Sequence, residues 1–348
     1  MNAAGERWQT GVVIGKFYPP HRGHKYLIDR AAAQVEQLTV IVCGKPEQLI
    51  GGEQRAAWLR AIHPAVRVLA IDDYYPDDDS RLWADLTIGW LGGAPDVVFT
   101  SEAYGDAYAH FLGCPHVSVD RARQIVPCSG TAIRADPLAH WAYLEPPVRG
   151  YLAKRVCLVG AESTGKTTLA AALAAHYRTT WVPEYGREYS EAKLARGDYD
   201  TWTSAEFTQI AAEQCRREDA AACASNGLLI CDTDAFATSI WHRRYLGERS
   251  PAVEALADSY RPDLYLLTDV SIPFVQDGTR DGEQIREWMH DTFVTELAAQ
   301  GRPYVPIAGT PETRLAQAVE VIDTLVLGRS AIRPTAQESS PARSVVAS

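Results

Sequence analysis

The sequence predicts an α/β protein of two domains, each built on a parallel sheet covered by helices. Three observations carry this expectation. Short apolar, β-branched runs alternate with amphipathic segments along most of the chain. The series of runs restarts near residue 155. A length of 348 residues is enough for two domains of ordinary size.

In the first series the strand-like runs are GVVIG (11–15), LTVIVC (38–43), VRVLAI (66–71), DVVFT (96–100) and HVSV (116–119). Amphipathic stretches separate them at 22–36, 53–62, 79–91 and 102–112. Strand alternating with helix indicates parallel strands buried on both faces. In the second series the runs are RVCLVG (155–160), TTWV (179–182), LLICD (228–232), DLYLLT (263–268) and PYVPI (303–307). Helical patterns cover 166–177, 203–224 and 281–299. The join is expected near Leu144–Gly150, where EPPVRG brings two prolines and a glycine. That places the domains at 1–147 and 148–328. The last twenty residues, RSAIRPTAQESSPARSVVAS, are polar and poor in aromatics, and predict a disordered tail at 329–348.

Composition narrows the function classes. Hydrophobic residues make up 46% and charged residues 22%, the balance of a soluble globular protein. No stretch approaches the roughly 20 apolar residues of a membrane span. The N-terminal residues lack a signal-peptide pattern, so a cytoplasmic location without a membrane partner is expected. The net charge of −10 argues against a broad nucleic-acid surface, which needs a basic face, and leaves nucleotide substrates open. The seven cysteines lack metal-ligand spacing, which predicts reduced, mostly buried thiols.

The first motif is GKFYPPHRGH at residues 15–24, which follows the first strand. In a doubly wound sheet this strand end is a ligand-binding position. Gly15 and Gly23 let the backbone approach phosphate oxygens, and Phe17 lies in the same loop. His21 and His24 fall at the start of a helix whose pattern runs from Lys25. There the dipole and free amides favour an anion. With Lys16 they suit a charge developing on a phosphate. A plainer alternative is that the histidines only cap the helix. A partner motif, SGTAIR (129–134), offers the Ser129 and Thr131 hydroxyls and Arg134 as a phosphate clamp. Taken alone it also describes any capped helix start.

The second motif, GAESTGKT at 160–167, matches G-x-x-x-x-G-K-[ST] in full between a strand and a helix. From Gly160 onward, the amides of Ala161, Glu162, Ser163, Thr164, Gly165 and Lys166 would wrap a β-phosphate. Lys166 would reach the β/γ oxygens, Thr167 would hold Mg²⁺, and Thr168 continues the helix start. LLICDTD supplies Asp232 as the Mg²⁺ carboxylate, whereas Asp234 fits a helix cap equally well. PEYGREY places Glu184, Tyr185, Arg187 and Tyr189 at a strand end. They would hold a ribose and base there, with Glu184 orienting the attacking hydroxyl, unless the segment is a solvated loop. QDGTRDGE (276–283) reads as a lid carrying Arg280 over the phosphates, or as an ordinary surface loop.

GKFYPPHRGH together with SGTAIR resembles the nucleotidyltransferases of the adenylyl/cytidylyltransferase superfamily. The resemblance implies a Rossmann-like nucleotidyltransferase sheet with a nucleoside triphosphate between the two motifs. It also implies in-line attack of a substrate phosphate on the α-phosphorus, with pyrophosphate leaving. His21, His24, Lys16 and Arg134 would supply charge stabilisation. The order of motifs, a nucleotidyltransferase followed by a P-loop kinase sheet, resembles the bifunctional NadR-type proteins over about residues 10–328. TSEAYG (100–105), VDRARQIVPCSGTAIRADP (119–137), GAESTGKTTL, PEYGREY and QDGTRDGE add to that resemblance. It implies two ATP sites with Mg²⁺. One phosphorylates ribosylnicotinamide to nicotinamide mononucleotide (NMN), and the other adenylylates NMN to NAD. Ser101, Glu102 and Tyr104 would lie near the nucleotide crevice. Trp181, Tyr185, Tyr189 and Trp202 are stacking partners for a pyridinium ring or else core residues. The kinase base stays open among Asp232, Asp234 and Glu184. Some members carry an N-terminal helix-turn-helix. Only about ten residues precede the first strand here, so no DNA-binding module and no nucleic-acid partner are expected. The oligomeric state is open, a homo-oligomer included. Two other readings compete: a different adenylyl- or cytidylyltransferase fused to another nucleoside kinase, and a nucleotide-sensing regulator. The intact Lys166, Thr167, His21, His24 and Arg134 count against the regulator.

Overall fold

The computed structural model describes residues 6–198, 201–274 and 283–328. They form two compact units that divide between Val148 and Arg149. The expected tail at 329–348 lies outside the described residues.

The first unit alternates strand and helix: β1 (Trp8–Gly15), α1 (Arg22–Ala32), β2 (Val35–Gly44), α2 (Gly52–Ile62), β3 (Arg67–Asp72), α3 (Ser80–Leu91), β4 (Val97–Thr100), α4 (Gly105–Leu112), β5 (His116–Ser118) and α5 (Gly130–Ala135). The strands pair in parallel in the order β3-β2-β1-β4-β5. Because side chains alternate across a strand, β1 feeds two cores. Val13 packs with Leu27 and Ile28 of α1 and Leu59 of α2. Val12 and Ile14 pack on the other face with Ala84 of α3 and Tyr108 and Leu112 of α4. Burial on both faces explains why β1 and β2 read as continuous apolar runs. The chain order reverses between β1 and β4, which creates a crevice at their carboxyl ends.

Helix α1 stops at Ala32, short of the expected 36, because Val35 already pairs with Trp8. Near the expected join, residues Pro146–Leu152 form the short helix α6 rather than a loop. Proline is well tolerated in a first helical turn, where its missing N–H has no partner to lose.

The second unit contains β6 (Lys154–Val159), α7 (Lys166–Tyr177), β7 (Trp181–Val182), α8 (Tyr185–Ala195), α9 (Ser204–Ala224), β8 (Leu228–Asp232), α10 (Ala235–Leu246), α11 (Pro251–Ser259), β9 (Leu264–Thr268), α12 (Arg286–Ala299), β10 (Tyr304–Ile307) and α13 (Pro311–Ile322). Its sheet is parallel in the order β10-β9-β6-β8-β7. Val156 and Leu158 of β6 pack on Leu169 and Leu173 of α7. Leu158 is in register with Asp232, so the pairing of β6 with β8 sets Asp232 beside the loop that follows β6. All seven cysteines are free thiols, five of them buried. No helix among the described residues is long and apolar enough to cross a membrane.

Candidate active sites

In the first unit, the loop after β1 turns directly into α1. His21 is the N-cap, and its Nδ1 accepts the Gly23 N–H at 3.1 Å. The helix therefore starts at Arg22, three residues before Lys25, and His24 sits in its first turn. The capping alternative holds for His21, and it has a chemical consequence. With Nδ1 accepting, the ring proton is on Nε2, where it can be donated to a ligand. The His21 and His24 rings stack with centroids 3.7 Å apart, and buried Phe17 meets His24 edge-on at 5.0 Å. Burial, reinforced by Arg123, lowers the His21 pKa to about 4. Burial, then His21 and Arg123, hold His24 well below its ordinary value. Near neutral pH both rings are uncharged. This corrects the expectation that they contribute positive charge: in the free protein both rings are neutral, and of the four residues expected to stabilise charge only Lys16 and Arg134 are cations. His24 Nδ1 is buried without a hydrogen-bond partner among the described residues.

The SGTAIR segment docks onto this loop. Ser129 caps α5 by accepting the Ala132 N–H at 3.1 Å. Arg134 donates to the Tyr18 carbonyl at 2.6 Å and to Thr131 Oγ1 at 3.2 Å, with its guanidinium 4.5 Å from the Tyr18 ring centroid. A Cβ on Gly130 would stand 2.4 Å from the Tyr18 carbonyl oxygen, so only glycine allows this approach. At the end of β4, the Tyr104 hydroxyl donates to the Ile14 carbonyl at 3.1 Å and Glu102 pairs with Arg123 at 3.2 Å. Ser101, Glu102 and Tyr104 thus lie at the strand reversal beside Gly15. Lys16 is exposed, and its ammonium contacts Asp77 at 2.8 Å.

In the second unit, the loop after β6 needs unusual backbone. Gly160 has φ 142°, and a Cβ there would meet Thr268 Oγ1 at 2.5 Å. Ser163 and Gly165 also have positive φ, at 55° and 80°. Lys166 Nζ donates to the carbonyls of Gly160 at 3.1 Å and Ala161 at 2.8 Å. The Thr164 hydroxyl is committed to the loop itself, bonding the Ala161 carbonyl and Thr268. Thr167 Oγ1 donates to Asp232 Oδ2 at 2.5 Å, while Asp232 Oδ1 is buried without a partner among the described residues. Asp234 instead caps α10 through the Ala237 N–H and accepts the Tyr265 hydroxyl at 2.7 Å, so it is a fold residue.

A cavity opens beside this loop. Glu162 to Thr168 form one wall, and Glu184, Arg187, Trp202, Phe207, Gln214, Trp241 and Tyr245 stand among the residues facing them. Burial raises the Glu184 pKa, against the pull of Lys166 and Arg187. Of the four expected stacking residues, only Trp202 lines the cavity. Tyr189 packs behind it at 6.2 Å. Tyr185 lies outside the lining with its ring 4.3 Å from the Arg217 guanidinium. Trp181 packs against the sheet core. Arg280 lies outside the described residues.

Each unit matches a known protein family. The cytidylyltransferase-like family matches residues 12–136, and the AAA domain family matches residues 155–314. The trifunctional NAD biosynthesis/regulator protein NadR of Escherichia coli (strain K12) is 33% identical over 292 residues, covering 78% of this chain and 71% of the relative. The protein of the same name from Salmonella typhimurium is 33% identical over 293 residues, with the same coverage. The chain belongs to the NadR family. In fold it is similar to a NadR protein solved in complex with NR, at a TM-score of 0.77 and 22% identity over 94% of this chain and 98% of that one. A NadR protein in complex with NAD and AMP-PNP gives a TM-score of 0.72 at the same identity and coverage.

Within this NadR-family chain, several site residues escaped the sequence reading. Trp241 and Tyr245 stand four apart on α10, so they share a helix face, and their rings stack at 6.1 Å. That spacing was available as a signal. Arg55 was hidden in an ordinary amphipathic helix. It is fully buried and donates to the carbonyls of Gly51 and Lys16 and to Gln48 Oε1. Burial lowers its pKa to about 10. Gln214 and Arg314 also escaped notice. Arg314 donates to the Thr164 carbonyl at 2.7 Å and braces the phosphate loop from behind.

Proposed function

We propose that this chain makes NAD in two ATP-dependent steps. The second unit phosphorylates ribosylnicotinamide at its 5′-hydroxyl to give NMN. The first unit transfers AMP from a second ATP to NMN, giving NAD and pyrophosphate. The observation that carries the reading is family membership spanning both units, with 33% identity over 78% of the chain to NAD biosynthesis proteins. The solved relatives bound to NR, NAD and AMP-PNP support the same ligand classes.

In the first unit the attacking phosphate is already ionised, so no general base is needed. A phosphate oxygen of NMN bonds to the α-phosphorus as the bond to pyrophosphate breaks. Lys16 and Arg134 offset the charge of the triphosphate. The neutral His21 donates from Nε2, beside His24, to oxygens whose charge grows in the transition state.

In the second unit Lys166 leaves the loop carbonyls for the β/γ oxygens. Glu184, raised above the ordinary carboxylate range by burial, accepts the proton of the 5′-hydroxyl. Thr167 and Asp232 would hold Mg²⁺, and the unpartnered Asp232 Oδ1 fits that demand. Mg²⁺ bound there would neutralise charge on the transferring phosphates. Few protein ligands are needed, because Mg²⁺ takes the rest from phosphates and water. Trp202, Trp241 and Tyr245 offer π faces to a cationic pyridinium ring.

Mass spectrometry of products from ribosylnicotinamide and Mg-ATP tests the reading. NMN and NAD should both form. Lys166→Ala should abolish phosphorylation while still converting supplied NMN to NAD. His24→Ala should accumulate NMN. Absence of both products with the wild-type chain would overturn the reading, as would either substitution abolishing both steps.

A further inference from the structure

One wall of the cavity in the second unit is backed by a buried ammonium. Lys193 lies near the end of α8 and is the buried residue of that helix. Its Nζ donates to Glu206 Oε1 at 2.6 Å, to the Thr201 carbonyl at 2.6 Å and to Asp198 Oδ2 at 2.9 Å. An ammonium carries three N–H donors, and each of these has an acceptor. Lys193 is therefore fixed, with no donor left for a ligand. Its charge still reaches Trp202, whose ring centroid lies 5.0 Å from Nζ.

The same contacts hold Trp202 in place. Thr201 precedes it, and the Thr203 that follows donates its N–H and its hydroxyl to Glu206 Oε2, closing the capping box of α9. Both neighbours of Trp202 are thus tied to one ammonium–carboxylate pair. Phe207 and Tyr245 meet the ring at 5.1 Å and 5.4 Å, and all three line the cavity. Anchoring alone does not call for a lysine. Apolar side chains of similar volume commonly replace a buried ion pair without loss of stability. What the lysine adds is charge against the ring. A π face attracts a cation, and a cation already beside it repels the next one. Arg244 also approaches a lining ring, 5.6 Å from the Tyr245 centroid, but it is exposed and screened by solvent. The Lys193 side chain is 3% exposed.

We infer that Lys193 is a specificity-determining residue of the nucleoside cavity. It positions Trp202 and weakens the pull of that ring on a positively charged base. The carboxylates of Asp198 and Glu206 offset this charge in part, so the three side chains together set how strongly the cavity prefers a cationic nucleoside over an uncharged one of the same shape. The inference rests on the ribosylnicotinamide kinase reading of the second unit.

The test uses the full chain without ATP, so that binding is read without turnover. Calorimetry compares ribosylnicotinamide with its 1,4-dihydro form, which is nearly isosteric and lacks the positive charge. The readout is the Kd of the dihydro form divided by the Kd of ribosylnicotinamide. Lys193→Met should raise this ratio about three- to tenfold, whatever happens to the two affinities together. Lys193→Arg keeps the charge and should hold the ratio within about twofold of the wild type. Glu206→Gln removes a charge of the opposite sign and should lower the ratio about two- to threefold. That variant decides the matter if Lys193→Met does not fold. An anchor without an electrostatic part would weaken both ligands equally. An unchanged or lowered ratio in Lys193→Met therefore overturns the inference, as does an unchanged or raised ratio in Glu206→Gln where that variant decides. Wild-type chain that neither binds nor phosphorylates ribosylnicotinamide would instead defeat the kinase reading itself.

Discussion

Thr167 Oγ1 donates to Asp232 Oδ2 across 2.5 Å, joining the first turn of α7 to the end of β8. The second oxygen of that carboxylate is buried and unpartnered among the described residues. Burial raises the Asp232 pKa, opposed by Lys166 and by the Thr167 bond. Such a carboxylate has more to gain from a cation than a solvated one has. Asp232→Asn keeps an oxygen for Thr167 and removes the charge. Phosphorylation of ribosylnicotinamide should fall by roughly 10²-fold in kcat, and the Mg²⁺ requirement should rise. Conversion of NMN to NAD by the same chain should be unchanged. An ADP-release assay across a Mg²⁺ titration checks this, and a variant with wild-type kcat would remove Asp232 from the site.

His21 should titrate far from an ordinary histidine. Its pKa in the folded chain is lowered from 6.5 to about 4, chiefly by burial. The unfolded chain therefore takes up the proton first as pH falls. The stability held by the neutral ring is complete above about pH 6.5 and is lost progressively as pH drops toward 4, by up to roughly 3 kcal/mol. His21→Asn keeps an N-cap acceptor but has no titrating ring. It should flatten the pH dependence of stability in that window. NMR of the ring protons should give a His21 midpoint near 4, and inorganic pyrophosphate should move it upward. A midpoint near 6.5 in the free protein would contradict the buried, neutral ring.

The sequence made the framework legible wherever one physical signal dominated. β1, β2, β6, β8 and β9 are buried on both faces, so their apolar runs are nearly continuous. The two phosphate motifs announce themselves because glycine is demanded where backbone must approach a ligand or a neighbouring strand, as at Gly160. Apart from the i, i+4 pair Trp241 and Tyr245, what escaped had no such signal. Helix α8 buries only Lys193, so there was no apolar stripe to read. Helix α11 is nine residues long and opens on a proline, which reads as a turn. Arg55 and Gln214 act through buried hydrogen bonds to backbone, and no local pattern encodes those partners. Tyr185 and Trp181 were plausible stacking residues by type, but the strand and helix register turned their rings elsewhere.

Gly130 should be irreplaceable for a steric reason. An added Cβ would lie 2.4 Å from the Tyr18 carbonyl oxygen and 3.2 Å from its carbon, both backbone atoms that cannot rotate away. Gly130→Ala should separate SGTAIR from the histidine loop and break the 2.6 Å bond from Arg134 to that carbonyl. We expect a loss of about 1–3 kcal/mol in the stability of the first unit. Adenylyl transfer should fall at least about tenfold, because a small misplacement of positioning groups is expensive in rate. Phosphorylation of ribosylnicotinamide should be unaffected. Full adenylyl transfer in this variant would show that the two motifs do not depend on their contact.

Gln214 should matter to phosphorylation although its part is to position other groups. Its side chain is buried and satisfied by three elements. Oε1 accepts the Tyr185 N–H at 3.0 Å, at the start of α8, next to Glu184. Nε2 donates to the Thr233 carbonyl at 3.3 Å, next to Asp232, and to Glu218 at 3.2 Å. The amide therefore sets the spacing between the two segments that carry the site's carboxylates. Gln214→Leu fills the same space and cuts all three bonds. It leaves the Tyr185 N–H and the Thr233 carbonyl to find water, at a cost of about 1–3 kcal/mol each. The kcat for phosphorylation should drop about ten- to a hundredfold, with a smaller change in KM for ATP. Its pH profile should shift as Glu184 loses its fixed distance from Asp232. A purely structural role would predict lower thermal stability with an unmoved pH profile in the molecules that remain folded. Adenylyl transfer by the same chain reports how much of it is intact.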